Sequence, residues 1–389
     1  VLTVLVTLAL AQGPDSLTLT DALARARAAR PQLSAAAAQV AGARAALRTA
    51  GAITNPTASY TRSESTPREH FIVEQPFDWL WRRGADRAAA RAGVTRALAD
   101  SAQTAIEVSH AVRLAFYRAR AALLSEALVS AQAEEADSLA RIAEARLRAG
   151  DVSLLEQEQA AQEAARARQS ASAAREAARV AASGLERELG GAPLPPPSGP
   201  LDAGLDAPPD TTVPIERVPA LRVAVADSAA AAALARSAAR ARVPAPAVQG
   251  GAEWGDPTEP GTLATFGVSV PIPLWQHGQG AVEEARARAL GAGALAREAR
   301  LEATRQAREV RIRLEESARR ARIARDSLVP AAAVIRARAF HAYQAGETGI
   351  VPVLDAFRAE RDVALGALQD ELAYQEAVAD WYALTGASE

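Results

Sequence analysis

His70, His110, His277 and His341 are the side chains best suited to move a proton or hold a metal near neutral pH, and their positions show no metal-ligand spacing. The chain has no Cys and no Met, which removes thiolate zinc sites, redox pairs, disulfides and a lipid-anchor cysteine. All 44 basic residues are Arg and none is Lys, so there is no Walker A lysine and no Schiff-base lysine. No nucleophile, base and orienter fall into a recognisable set, and no phosphate loop is present, so the chain does not read as an enzyme and calls for no cofactor. With 44 basic against 46 acidic side chains the net charge is -2, which argues against nucleic acid as a partner. Ser153-Leu154-Leu155-Glu156 has the spacing of a helix capping box, and Asp151 and Glu347 suit the positive ends of helices.

The elements that carry these residues come in two copies. Pro31, Leu33 and Pro56 match Pro219, Leu221 and Pro244 at one offset, while Ala149-Gly150-Asp151, Ala160 and Gly190 match Ala345-Gly346-Glu347, Ala356 and Gly386 at another. Chance likeness between Ala-rich helices explains the alanines but not the aligned Gly and Pro breaks. Each copy predicts a helix, two short strands, a very long helix, a tight turn and a returning helix. The run from Gly84 to Ala149 contains no Pro and could extend on the order of 100 Å; its counterpart from Ala281 to Ala345 carries Pro330 as the expected kink. Leu98, Ala102, Ala105, Ser109, Val112, Phe116, Ala119 and Leu123 repeat at 4-3-4-3 spacing, the seam of a coiled coil.

The strands alternate. Phe71, Val73, Phe77 and Trp79 oppose Ile72, Glu74 and Asp78, and Ala264, Phe266, Val268 and Val270 oppose Leu263, Thr265, Gly267 and Ser269. Their partners are expected near Thr57 to Glu64 and Ala247 to Trp254, with Tyr60 and Trp254 near the strand ends. The pattern suits a transmembrane barrel face or a soluble sheet on a core. Four strands cannot close a barrel and would leave two open edges, whereas three copies supply twelve. Arg82-Arg83, following Trp79 and Trp81, fits the charged margin of an interface belt.

Leu17 to Leu47, Tyr343 to Ala364 (YQAGETGIVPVLDAFRAERDVA) and Glu371 to Gly386 (ELAYQEAVADWYALTG) resemble the outer-membrane efflux protein family, the TolC-like channels. Val73 to Ala92 and Val268 to Ala289 look like its CzcC-type heavy-metal branch. The resemblance implies a mainly α fold with a small membrane β-barrel part: a duplicated unit of long antiparallel coiled-coil helices plus four strands, completed as a homotrimer with a 12-stranded barrel and an α-barrel. The parts would be 1–11, a signal-peptide remnant; 12–192, the first repeat; 193–212, a Pro/Gly-rich linker; and 213–389, the second repeat. It implies an outer-membrane exit channel with a large periplasmic extension, lying in outer-membrane lipid. Substrate would pass to it from an inner-membrane transporter of the resistance-nodulation-division (RND) type through a periplasmic adaptor, a membrane fusion protein. Divalent heavy-metal cations are the favoured cargo, with drugs or solvents as the alternative.

By the same resemblance, Tyr343, Glu156 and Asp355 are pore or gate candidates, and Arg148, Gly150, Asp151, Gly346 and Glu347 mark periplasmic tip turns and adaptor contacts. Thr348 and Pro352 depart from the family's pattern of an arginine and an acid. Tyr60, Phe71, Phe77, Trp79, Trp254 and Phe266 are the expected lipid-facing or interface aromatics. Glu156 has a plain alternative as the capping residue. Two other readings compete: a periplasmic adaptor, which should show one hairpin flanked by Gly-rich β domains, and a soluble coiled-coil scaffold, which leaves the aromatic strands unexplained.

Overall fold

A computed structural model describes residues 16–259 and 261–387; the apolar segment 1–11 lies outside the described residues. The order is α1 (Leu19–Ala29), α2 (Pro31–Ala50), β1 (Thr57–Arg62), β2 (Glu69–Pro76), α3 (Trp79–Ala149), α4 (Leu154–Glu188), α5 (Pro219–Ala241), β3 (Ala247–Trp254), β4 (Leu263–Ser269), α6 (Gln279–Ile323), α7 (Val329–Gln344) and α8 (Ile350–Thr385). The same order of elements recurs in both halves, with two differences: the long helix that is unbroken as α3 is interrupted between α6 and α7, and the openings differ. Where the second copy opens with α5, the first opens with two helices, because Pro31 holds Arg30 in extended backbone (φ -78°, ψ 117°). Pro31 and Pro219 each begin a helix, where a missing N–H costs nothing.

Compactness does not follow the repeat. One unit comprises Val1–Pro31, Ala105–Pro214 and Arg305–Glu389, and the other Gln32–Thr104 and Ile215–Thr304, so each draws on both copies. The first unit is helical. Its core is built in successive clusters of small residues, such as Ala133, Ala136, Ala164, Ala167 and Ala171 with Val129, which let α3 and α4 approach closely. The expected seam on α3 holds in part: Val112, Phe116 and Ala119 are buried, but Leu98, Ala102 and Ala105 are exposed. A straight helix of 3.6 residues per turn drifts away from a 3.5-residue stripe, so the two ends of a long seam point to different sides.

Pro330 does its expected work one turn upstream. It has no N–H to donate back to Asp326, and the chain widens into a π turn at Ala324–Leu328 before α7 resumes. The segment between α4 and α5 is irregular, as its prolines require, apart from a single 3-10 turn at Ile215–Arg217. It is no slack tether. Leu201 and Leu205 are buried, the Tyr374 hydroxyl donates to the Gly204 carbonyl at 2.7 Å, and Gln375 Nε2 donates to the carbonyls of Leu201 and Ala203 at 2.6 and 2.9 Å. Arg325, on the π turn, binds Asp206 at 2.7 Å.

The second unit holds the sheet, four antiparallel strands in the order β1-β2-β3-β4. One expectation is corrected there. Trp79 does not belong to the strand: β2 ends at Pro76, which lacks a donor to continue the ladder, and Trp79 is the first residue of α3. No helix among the described residues is long and apolar enough to cross a membrane.

Candidate functional site

The strand register sorts side chains by face. Tyr60 pairs with Phe71, Phe71 with Ala252, and Ala252 with Ala264, so these four share one side. Counting by twos adds Ala58, Val73, Val248, Gly250, Trp254, Phe266 and Val268, and, at the strand ends, Arg62, Glu69 and Gln75. The other side carries Thr57, Ser59, Thr61, His70, Ile72, Glu74, Pro76, Ala247, Gln249, Gly251, Glu253, Leu263, Thr265, Gly267 and Ser269. One side is therefore apolar across its middle, with polar residues only at the strand ends, and the other is mainly polar, with Ile72, Pro76, Ala247 and Leu263 as its apolar members. The apolar side is uncovered: Phe266 is 88% exposed, Val268 72% and Tyr60 57%. On the polar side Gln249 Nε2 donates to Glu74 at 2.7 Å, and His70 lies 3.3 Å from Glu253.

The named aromatics divide accordingly. Tyr60, Phe71, Trp254 and Phe266 sit on the apolar side, with the Tyr60 and Trp254 rings 6.4 Å apart at its rim. There the Trp254 indole N–H donates to Glu69. Phe77 and Trp79 lie beyond the sheet, 6.1 Å apart, at the start of α3. Gly251 is forced by packing. A Cβ built there would stand 2.3 Å from the Phe71 carbonyl oxygen, closer than any side chain allows.

At the two hairpin turns the copies agree bond for bond. Gly150 (φ 81°) donates to Leu147 and Asp151 to Arg146; Gly346 (φ 73°) donates to Tyr343 and Glu347 to Ala342. Each pair is a Schellman closure, which needs a residue with positive φ. Arg148, Gly150, Asp151, Gly346 and Glu347 are all exposed. The Ser153 hydroxyl accepts from the Glu156 N–H at 3.3 Å, one half of the capping box.

The three pore candidates sit differently. Asp355 is exposed and pairs with Arg358 at 3.2 Å. Glu156 is half-buried, its Oε1 beside Gly349, the N-cap of α8, where the helix dipole favours a carboxylate. Tyr343 is fully buried, in a cluster with Leu139, Ala143, Ala160, Ile350, Val353 and Leu354.

Two groups here escaped the sequence reading. Arg146 lies 4.8 Å from the centre of the Tyr343 ring and donates to its carbonyl at 3.1 Å. Glu163 is buried on α4 and held by Arg358 at 2.6 Å and Arg361 at 3.8 Å. Contact with Glu163 raises the Arg358 guanidinium above its usual value. Nothing in the local sequence marks either pair, since both join residues far apart in the chain. His110 meets Asp380 at 2.8 Å, and among the described residues no three His, Cys, Asp or Glu come together to hold a metal.

Residues 215–387 match the family described as Outer membrane efflux protein. The fold is similar to that of CusC, solved for its folding and transmembrane channel formation (17% identity, TM-score 0.80, covering 95% of this chain and 92% of that one). It is similar also to the open-state MtrE outer membrane channel of Neisseria gonorrhoeae (18% identity, TM-score 0.76, 95% and 88%). The CmeC outer membrane channel of Campylobacter jejuni gives a third likeness (15% identity, TM-score 0.76, 95% and 85%). No curated protein matches the chain in sequence. The likeness to outer-membrane efflux proteins thus rests on sequence in the second copy and on fold throughout.

Proposed function

We propose that the chain is one third of an outer-membrane exit duct that passively conducts substrate out of the periplasm. The observation that carries this reading is the bare apolar side of a four-stranded sheet whose edge strands, β1 and β4, are both unpaired. In water such a surface invites aggregation, and in a bilayer it is the expected outside of a barrel. Because β1 and β4 run in opposite directions, joining β4 of one copy to β1 of the next keeps every pair antiparallel. Three copies then give a closed barrel of twelve strands with Glu74, Glu253, His70 and Gln249 facing the lumen.

The helical hairpins form the periplasmic extension in this reading, and the exposed turns at Gly150 and Gly346 meet a periplasmic adaptor that links the duct to an RND-type inner-membrane transporter. Asp355 and Glu156 face the pore in three copies and favour cations, while Tyr343, clasped by Arg146, sets the packing behind them. The likeness of Val73 to Ala92 and Val268 to Ala289 to the CzcC-type branch supports divalent heavy-metal ions as cargo. A duct for drugs or solvents is the second reading.

The test is to purify the protein in detergent, measure its mass and reconstitute it in planar bilayers. A trimer with cation-preferring conductance is expected, and a water-soluble monomer without conductance overturns the proposal. Glu156→Gln with Asp355→Asn should lower the cation preference; unchanged selectivity returns both acids to local roles.

A further inference from the structure

Arg44 and Arg48 on α2 and Arg83 and Arg87 on α3 line one open cavity of about 350 Å³, completed by Leu47, Gly51 and Ala52. Each pair is spaced i, i+4, so both helices present two like charges on one side, a placement that is unfavourable without a counter-charge. No acid lines the cavity. Among the described residues none of the four arginines has an ion pair, whereas the adjacent Arg82 reaches both Asp78 and Asp86. Arg83 Nε and Arg87 Nε are buried donors without an acceptor, and so are the indole nitrogens of Trp79 and Trp81 on the same turns of α3. Gly51 lies against Arg87, whose Nε is 3.4 Å from where a Cβ would stand.

The geometry points to a binding site for a phosphate group, held by the four arginines where the end of α2 meets the start of α3. Guanidinium forks bind phosphate oxygens in pairs and do so without deprotonating, which suits a chain that has no lysine. An amphiphilic ligand fits the surroundings better than a bare ion. Leu47 and Ala52 form an apolar wall, and Ile53 and Leu80, next in the chain to Ala52 and Trp79, are 50% and 62% exposed. Residues 53–56 lead directly into β1 and residues 77–78 leave β2, so the cavity lies at one end of the sheet. Resting on the barrel reading, that end meets the headgroup layer, and the phosphate is that of a periplasmic-leaflet phospholipid. Inorganic phosphate is the other source of the same chemistry.

Native mass spectrometry of the full chain in detergent can decide, with dioctanoyl phosphatidylglycerol, phosphate-free dioctanoylglycerol and inorganic phosphate as probes. Phosphatidylglycerol should bind and dioctanoylglycerol should not, with affinity falling at least tenfold in Arg83→Gln/Arg87→Gln and partly restored in Arg83→Lys/Arg87→Lys. Arg44→Gln/Arg48→Gln, on the exposed surface of α2, gives the same loss without touching α3 and guards against misfolding. Protection from thermal unfolding by inorganic phosphate equal to that by the lipid assigns the site to free phosphate. Equal binding of dioctanoylglycerol, or undiminished lipid binding in both glutamine variants, overturns the site. So does loss of the oligomer in these variants with lipid binding intact, which would give the arginines to a neighbouring copy's carboxylates. Conductance of the wild type is recorded in parallel, so that failure of the duct and failure of the phosphate site are separate results.

Discussion

Arg146 grips Tyr343 twice, by stacking its guanidinium 4.8 Å from the ring centre and by donating to the same residue's carbonyl at 3.1 Å. The contact ties the last turn of α3 to the last turn of α7, so it joins the two hairpins beside their turns. Removing the ring should leave a void in the Leu139, Ile350 and Val353 cluster, and Tyr343→Ala is expected to cost about 3 to 5 kcal/mol. Tyr343→Phe should behave oppositely. Its hydroxyl is buried without a partner, so deleting the oxygen should hold or raise the melting temperature followed by circular dichroism.

The paired turns give a second expectation. Nothing lies within 4 Å of a Cβ built on Gly150 or Gly346, so replacing either with Ala meets no clash and costs only the positive φ, about 1 to 2 kcal/mol each. The turns are far apart in sequence and closed by the same bonds, so the two costs should match. A much larger loss at one turn in thermal unfolding would show that its glycine serves a contact as well as a conformation.

Gly251 should tolerate no side chain. A Cβ would press on the Phe71 carbonyl at 2.3 Å and on Ile72 Cα at 3.2 Å, both backbone atoms that cannot swing aside. Gly251→Ala is expected to lower the melting temperature followed by circular dichroism sharply, whereas Gly250→Ala, with only ordinary contact to Phe266, should leave it nearly unchanged.

Glu371 supplies the pH dependence. Burial raises its carboxyl above the usual value, Asp202 adds to the rise, and Arg325 opposes it. The folded protein therefore keeps this proton at pH values where the unfolded chain has lost it. Its contribution is fully present below the ordinary glutamate range and is lost as pH climbs through the raised value. Glu371→Gln should raise the melting temperature at neutral pH and leave it unchanged in acid. Asp206, lowered by its bond to Arg325, runs the other way: its contribution is present above the ordinary aspartate range and is lost as pH falls through the depressed value.

Much of the architecture was legible in sequence because it is local or periodic. Glycine alone relieves a positive φ, and Gly150 and Gly346 stand where both turns close. Alternation along β2 and β4 separated polar from apolar side chains before any pairing was known. Pro330 announced a disturbed helix, although not that the disturbance would be a π turn at Ala324–Leu328. The seam from Leu98 to Leu123 is buried within the chain only from Val112 to Ala119, since a fixed spacing does not say which neighbour covers a drifting stripe.

What the sequence by itself determined is the order of elements, their duplication and the two-sided character of β2 and β4, all consequences of short-range backbone and side-chain preferences. Only the tertiary structure decided that Tyr60, Phe71, Ala252 and Ala264 share one side, that the proline-rich segment is pinned by Tyr374 and Gln375, and that Arg44, Arg48, Arg83 and Arg87 surround one cavity. Each of these joins residues separated by tens of positions or more. Hydrogen bonding across strands and packing between helices fix such meetings, and no local pattern records them.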